Sequence, residues 1–545
     1  MEPQTTISET LIKSLISNQV NHIFGIPGDY VLGLFDALTK SPIEVINTCD
    51  EQSAGFAADA YARLNGLGAA CVTYGVGGLK LINSTAQAYA ERSPVVIISG
   101  APGINEQAPD ALLHHRVRDF DSQLRIFREV TVAQAVLDNP VTAGDEIHRV
   151  LEAAKTSKRP VYLEVPRDCL HWLTHSESPR AAGKPYQDED TLSEALKEIA
   201  ALINNARDPV ILAGVEIHRF GLQDELQRIV TNTGIPYATT ILGKSILNEK
   251  TPGFLGVYSG ALSEPQVNKR IEGSDCILML GAMLTDLNTG IYTAQLDPAK
   301  VVSISADRIA VHRHVYPTLS IETVMSELAG ENVKLTKREK ALPSLPAPAK
   351  FVAEKNRAIS VLRLFECLNG FLDRHTAIVA DPGDALFAAT DLTIHDGTEF
   401  LACAYYASLG FAVPAAIGMG MARPDRRPIV LVGDGAFQMT GMELSTALRY
   451  GLTPIVIVLD NEGYGTERPM LDGPFNDVQP WNVANLPQLI GGGEGHLVET
   501  EEAFESTMRY VLSAADTLQI VHVKLKKDDL SPALGRLTAN LGTRV

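Results

Sequence analysis

Three features of the sequence predict an α/β fold built from three doubly wound parallel-sheet domains. Short β-rich apolar runs alternate with helical patterns along almost the whole chain. Two polar stretches, 176–190 and 336–357, break that rhythm; the first is charged and contains Pro, the second is rich in Lys and Pro. Between 429 and 461, two apolar runs flank one helical segment as a βαβ unit, and both runs end in polar residues. The linkers divide the chain into blocks at 1–180, 190–340 and 355–545, each of ordinary domain size. No short-period repeat relates them, so kinship among the blocks would be architectural.

In the first block, 69–74, 95–99 and 161–165 read as strands bounded by Gly or Pro, and 53–63 and 82–92 carry helical spacing. Phe24-Gly25-Ile26-Pro27-Gly28-Asp29 is a tight turn ending in a carboxylate. Glu51 opens a helix of small residues; taken alone, it fits a first-turn carboxylate facing the helix dipole. The turn Gly75-Val76-Gly77-Gly78 fits a strand-to-helix connection as well as ligand approach. Adjacent His114 and His115, taken alone, read as a solvated pair or an accident of composition, although imidazole titrates near neutrality and can relay protons.

The middle block repeats the βα rhythm, with strands at 210–213, 276–280 and 301–304 and no nucleotide-binding fingerprint. The third has strands at 377–380, 429–432, 455–459 and 519–523. Its βαβ unit carries the chemistry. Gly433-Asp434-Gly435 ends the first of its two strands and Asp460-Asn461 the second, so Asp434 and Asn461 meet at the carboxyl edge, where ligands bind in open sheets. Gly435 permits a sharp turn, and the helix behind it aims free N–H groups at a phosphate. Asp434, the Asn461 side-chain oxygen and a carbonyl such as that of Gly463 are hard ligands, which suit Mg²⁺ shared with phosphate oxygens.

Bulk properties exclude several classes. A formal net charge of −18 argues against nucleic-acid or anionic-membrane partners. No apolar run reaches the roughly 18 residues of a spanning helix, and the N-terminus lacks a signal-peptide pattern. Six scattered cysteines without a CxxC pair read as buried thiols in a reducing compartment. A soluble cytoplasmic enzyme is expected.

The Gly-Asp-Gly to Asn pattern resembles the diphosphate-binding motif of thiamine-diphosphate enzymes. FGIPGD, DEQSAGFAADAYAR and TYGVGG resemble the pyrimidine-binding domain of the decarboxylases in that superfamily. The His pair beginning 63 positions after Glu51 (114 − 51), and Glu467 six after Asn461 (467 − 461), resemble the phenylpyruvate, indolepyruvate and pyruvate decarboxylase branch. The resemblance runs from Ile7 to about Asn540 and implies pyrimidine-binding, central and diphosphate-binding domains in that order.

It also implies residue roles. Glu51 would share a proton with the cofactor's aminopyrimidine, and Asp29, His114, His115 and Glu467 would serve catalysis. Asp434, Asn461 and Gly463 would hold the metal, with Gly383, Asp384, Gly435 and Ala436 as further cofactor contacts. Ala407 would offer its carbonyl to the ring, and Leu409 would force the cofactor's bent conformation. Asp384 stands where many members carry Thr, Asp460 replaces a frequent Asn, and Gly465-Thr466 replaces a bulkier pair. The implied reaction is non-oxidative decarboxylation of aromatic or longer aliphatic 2-oxo acids to aldehydes and carbon dioxide, with thiamine diphosphate and Mg²⁺. A carboligase of the acetolactate synthase type and a catalytically silent cofactor-binding protein are the alternatives. The implied assembly is at least a homodimer, with a homotetramer as the expected state.

Overall fold

A computed structural model describes residues 5–174, 188–339, 342–345 and 350–539. The predicted linker at 176–190 lies outside the described residues up to 187. Its last two residues are helical, a correction: Asp188 accepts a hydrogen bond from the Asp190 N–H and caps the helix Glu189–Asn205, whose first turn is acidic.

The first and third sheets share one topology. In space the first runs Glu44–Asn47, His22–Gly25, Gly68–Val72, Val95–Ala101, Val161–Pro166, Gln134–Val136, with every pairing parallel. The third runs Glu399–Ala402, Thr376–Ala380, Arg427–Gly433, Ile455–Asp460, Gln519–Lys524, Glu494–Val498, again all parallel. Counted in chain order, both read 2-1-3-4-6-5. Each therefore has a topological switch point between its first and third strands, where a crevice opens at the carboxyl ends. The kinship of these two blocks is architectural.

The middle sheet is mixed. Five parallel strands, Phe254–Val257, Tyr237–Thr239, Pro209–Ala213, Cys276–Leu280 and Val301–Ile304, are followed by antiparallel Ile309–Val311 and His314–Tyr316. The reason is the connection: four residues link Ile304 to Ile309, and Ser305 and Arg308 bond across the turn, too short a span for a parallel crossover.

The central strands of the third sheet are covered on both faces, which is why they read as continuous apolar runs. Val430, Val432, Val456 and Val458 pack into a core shared with the first domain, while Ile429, Leu431, Ile455 and Ile457 face the helix Val361–Asn369. The shared core is built on a close helix crossing between Glu51–Asn65 and Ala412–Ala422. A Cβ at Gly418 would stand 2.0 Å from the Ala57 carbonyl oxygen, so only glycine allows this approach. Among the described residues no helix is long and apolar enough to cross a membrane.

Candidate active site

A cavity of about 340 Å³ opens at the switch point of the third sheet. Strand Thr376–Ala380 delivers Pro382, Gly383 and Asp384 to it, and strand Arg427–Gly433 delivers Gly433 to Ala436. The parallel neighbour Ile455–Asp460 brings Asn461 and Gly463, followed by Thr466 and Glu467. Ala407 and Leu409 complete this part of the wall. The third domain thus gathers ten of the predicted residues in one place: Gly383, Asp384, Ala407, Leu409, Asp434, Gly435, Ala436, Asn461, Gly463 and Glu467.

Asp434 is the electrostatic centre. Its Oδ1 accepts the N–H of Gly435 at 2.7 Å, but Oδ2 is buried with no hydrogen-bond partner. Burial, with the Asp460 carboxylate nearby, pushes the Asp434 carboxyl above its ordinary range. Asp460 moves the other way: although burial opposes it, hydrogen bonds from His522 and Lys524 hold its carboxyl well below the usual range. A bare, buried carboxylate oxygen calls for a cation. Asn461 is 9% exposed and supplies an amide oxygen. The Gly463 carbonyl accepts the Gly465 N–H at 3.0 Å and keeps a second lone pair. This all-oxygen donor set fits Mg²⁺.

The backbone beside these donors is open. A Cβ on Gly433 would meet nothing within 4 Å, and Gly383, at φ +112°, would meet only the Thr466 methyl at 4.0 Å. Bare backbone of this kind can approach a diphosphate closely. Gly465 makes room in another direction, since a Cβ there would stand 2.4 Å from the Asn461 amide nitrogen.

Asp384 lines the cavity but turns its carboxylate to the C-terminal helix Pro532–Thr538. It accepts the Ser531 N–H at 2.8 Å and the Ser531 hydroxyl, and burial pushes its carboxyl up to about 6. The Asp at this position thus holds the C-terminal helix against the cavity. That helix contributes Leu534, Leu537 and Thr538 to the wall, and the middle domain adds Leu287 and Ile291. Sequence reasoning missed all five. The only signal available was the apolar spacing of the last helix, which core packing explains equally well.

The loop carrying Ala407 is held from the first domain. Glu91, fully buried, accepts the N–H groups of Tyr405 at 2.8 Å and Tyr406 at 3.0 Å. Arg63 joins Glu91 to Asp59 and donates to the Ala402 carbonyl, and Asn83 donates to the Ser408 hydroxyl at 2.7 Å. Ala407 sits at φ +57°. That left-handed conformation costs a non-glycine residue on the order of 1 kcal/mol or more, and persists because its surroundings fix it.

The first domain forms a second cluster at its own switch point. His114 Nε2 lies 2.7 Å from Asp29 Oδ2, and Tyr30 stacks on the His114 ring with centroids 4.8 Å apart. His115 takes φ +66°, and its Nδ1 is buried without a partner. Ligand atoms of Asp29, His114 and His115 all lie within 4.8 Å of one another. The glycine turn explains how they fit. A Cβ on Gly75 would stand 2.4 Å from the His115 carbonyl oxygen, and one on Gly77 would stand 3.5 Å from Glu51 Oε1. His115 and Glu51 therefore flank the same turn.

Glu51 is the first residue of helix Glu51–Asn65, with Asp50 as its cap, so the first-turn reading of its position holds as local structure. Asp29, Glu51, His114 and His115 are not among the residues lining the third-domain cavity of the same chain. Five of the six cysteines are buried, as expected; Cys49 is exposed, a correction, because it lies on the loop entering this helix, against Ser445.

Residues 5–124 match the N-terminal TPP binding domain of thiamine pyrophosphate enzymes, 196–329 their central domain and 381–523 their C-terminal TPP binding domain. An indole-3-pyruvate decarboxylase from Azospirillum brasilense is 34% identical over 538 residues, spanning 97% of this chain and 97% of its own. Alpha-keto-acid decarboxylases from Mycobacterium tuberculosis and Mycobacterium avium are each 33% identical, over 99% and 98% of this chain and 98% and 96% of theirs. With the three domains matched in order and relatives aligned end to end, the chain belongs to the thiamine-diphosphate-dependent 2-oxo acid decarboxylases, whose usual partner metal is magnesium.

Proposed function

We propose that this enzyme converts 2-oxo acids with aromatic or longer aliphatic side chains into the corresponding aldehydes and carbon dioxide. The observation that carries this reading is the apolar part of the cavity. Leu287, Ile291, Leu534 and Leu537 share one enclosure with Leu409, Asp434 and Asn461, which is room beyond the polar donors for a large apolar group. Bound there, thiamine diphosphate supplies the carbon nucleophile and the electron sink.

The protein's share is binding, orientation and proton transfer. Asp434, Asn461 and Gly463 hold the metal and through it the diphosphate, with Gly383, Gly435 and Ala436 offering close backbone. Asp384 acts through the C-terminal helix, whose N-cap Ser531 it holds. Ala407 would present its carbonyl to the aminopyrimidine, and Leu409 would fill the volume beneath the bound cofactor. Glu51 shares a proton with the ring, and Asp29, His114, His115 and Glu467 move protons to and from the reacting carbons.

Separation of the two clusters within one chain supports a site completed between two copies, with the partner subunit's Glu51 and His pair facing this chain's cavity. A homodimer is the minimal working unit and a homotetramer the proposed assembly, with no nucleic-acid or membrane partner. The division at 1–180, 190–340 and 355–545 belongs to the same proposal. Six cysteines, none in a disulfide, support a cytoplasmic setting.

The test is a product assay with Mg²⁺ and thiamine diphosphate on pyruvate, a branched-chain and a phenyl-substituted 2-oxo acid. Aldehyde with a preference for the larger substrates supports the reading. Acyloin as the main product would make the enzyme a carboligase, and no turnover would make it a silent binder.

A further inference from the structure

Glu51 has a partner in the structure. Lys80 Nζ stands 2.8 Å from Glu51 Oε2 and also pairs with Asp50. Lys80 ends the short helix Val76–Lys80, which Gly75 opens and which contains Gly77 and Gly78, so the glycine segment that admits His115 also brings an ammonium to Glu51. The Lys80 side chain is 51% exposed, whereas that of Glu51 is only 13% exposed. Hydrogen bonds donated to Asp50 and Glu51 hold the Lys80 ammonium above its ordinary range, so it stays charged.

A carboxylate bound to an ammonium is an acceptor only. A weakly basic ring nitrogen also accepts, and needs a carboxyl that carries a proton. Glu51 therefore cannot hold Lys80 and share a proton with the aminopyrimidine through the same oxygen. We propose that Lys80 is a positioning residue, the resting partner of Glu51, which cofactor binding displaces in favour of the ring while Lys80 stays on Asp50. This inference rests on the reading of Glu51 as the ring's partner.

Two features suit Lys80 to a partner that lets go. A half-exposed ion pair is worth little, so its release is cheap. The second carboxylate prevents a stranded charge, because Asp50 retains the ammonium after Glu51 leaves.

The experiment measures thiamine diphosphate affinity in Mg²⁺ by fluorescence quenching for the native enzyme, Lys80→Met and Lys80→Arg. Lys80→Met should bind the cofactor more tightly, by up to about fivefold. Lys80→Arg, which keeps a cation between the two carboxylates, should restore the native affinity. In a Glu51→Gln background, Lys80→Met should change nothing. Unchanged affinity in Lys80→Met, or an equal effect in the Glu51→Gln background, would overturn the role of Lys80. Failure of the underlying reading looks different: Glu51→Gln alone would then leave exchange of the cofactor's C2 hydrogen at the native rate.

Discussion

Asp434 and Asp460 close neighbouring parallel strands, yet their carboxylates are used oppositely. Asp460 Oδ2 is taken by His522 at 2.6 Å and Lys524 at 2.5 Å, while Asp434 Oδ2 is buried and bare. His522 and the Lys524 ammonium occupy Asp460 and leave Asp434 for an ion from outside. Asp434→Ala should abolish Mg²⁺-dependent retention of thiamine diphosphate. Asp460→Ala should weaken it by about 10- to 100-fold, the usual cost of losing an outer support of a metal site. Titration calorimetry with and without chelator checks both; an Asp434→Ala protein with native, chelator-insensitive affinity would remove the metal from this site.

Glu51→Gln should still bind cofactor, because the amide fills the same space and can hydrogen-bond. It should slow hydrogen–deuterium exchange at the cofactor's C2 by about 100-fold or more, the scale of a lost general acid–base group. Proton NMR after acid quench gives the rate directly. Native exchange would leave Glu51 as a helix-start carboxylate and nothing else.

The two half-sites predict complementation. Glu51→Gln and Asp434→Ala homodimers should each be inactive, but mixed dimers contain one site with both residues intact. Part of the native turnover should return on mixing and subunit exchange. Inactivity in dimers shown by native mass spectrometry to be mixed would count against a shared site.

Much of this was legible in the sequence, and the pattern of what was not is physical. The strand foreseen at 276–280 matches Cys276–Leu280, and 455–459 matches Ile455–Asp460 to one residue, because strands buried on both faces read as continuous apolar runs; 301–304 matches Val301–Ile304, where Val302 and Ile304 form the buried face. The strands that escaped, such as Glu44–Asn47 and Glu494–Val498, lie at sheet edges and are only partly buried, with Glu44 exposed in the first and Gly495 and Leu497 in the second, so neither reads as a continuous apolar run. Asp434 and Asn461 were legible because a βαβ unit forces their meeting. Glu91, 314 positions before the Tyr405 backbone it holds, had no such local signal. Lys80 was equally silent, since its meaning depends on a turn geometry that only coordinates display.

Glu164 gives a pH test of the scaffold. Burial pushes its carboxyl up to about 7, and its Oε2 accepts the Tyr162 hydroxyl at 2.5 Å. Tyr162 in turn accepts from Gln123, which receives the Gly75 N–H, so the chain ends at the active-site turn. An acid with a raised folded-state value stabilises the fold in its protonated form. That contribution is full below the ordinary value of 4.5 and is lost as pH rises through about 7. Glu164→Gln keeps an acceptor and cannot ionise. Between pH 6 and 8.5 the native enzyme should lose stability relative to this variant, by about 1 kcal/mol. Parallel melting curves at all pH values would contradict it.

Substrate choice should separate from proton handling. The apolar wall of Leu287, Ile291, Leu534 and Leu537 faces the same enclosure as Leu409, whereas Glu467 and the His114–His115 pair carry no apolar side chain. An apolar pocket discriminates by only about 1–3 kcal/mol per methylene-sized step, so it broadens or narrows preference without strict exclusion. Leu534→Ala or Ile291→Ala should therefore reorder kcat/KM among pyruvate, a branched-chain and a phenyl-substituted 2-oxo acid, by about 10-fold or more between the extremes. His115→Ala or Glu467→Gln should instead lower turnover for every accepted substrate by a similar factor, about 100-fold or more, because the carboxylate and the reacting carbons are common to all of them. If Leu534→Ala and Ile291→Ala scale all three substrates equally, the wall does not select the side chain. If pyruvate is strongly preferred by the native enzyme, the large-substrate reading fails while decarboxylation stands.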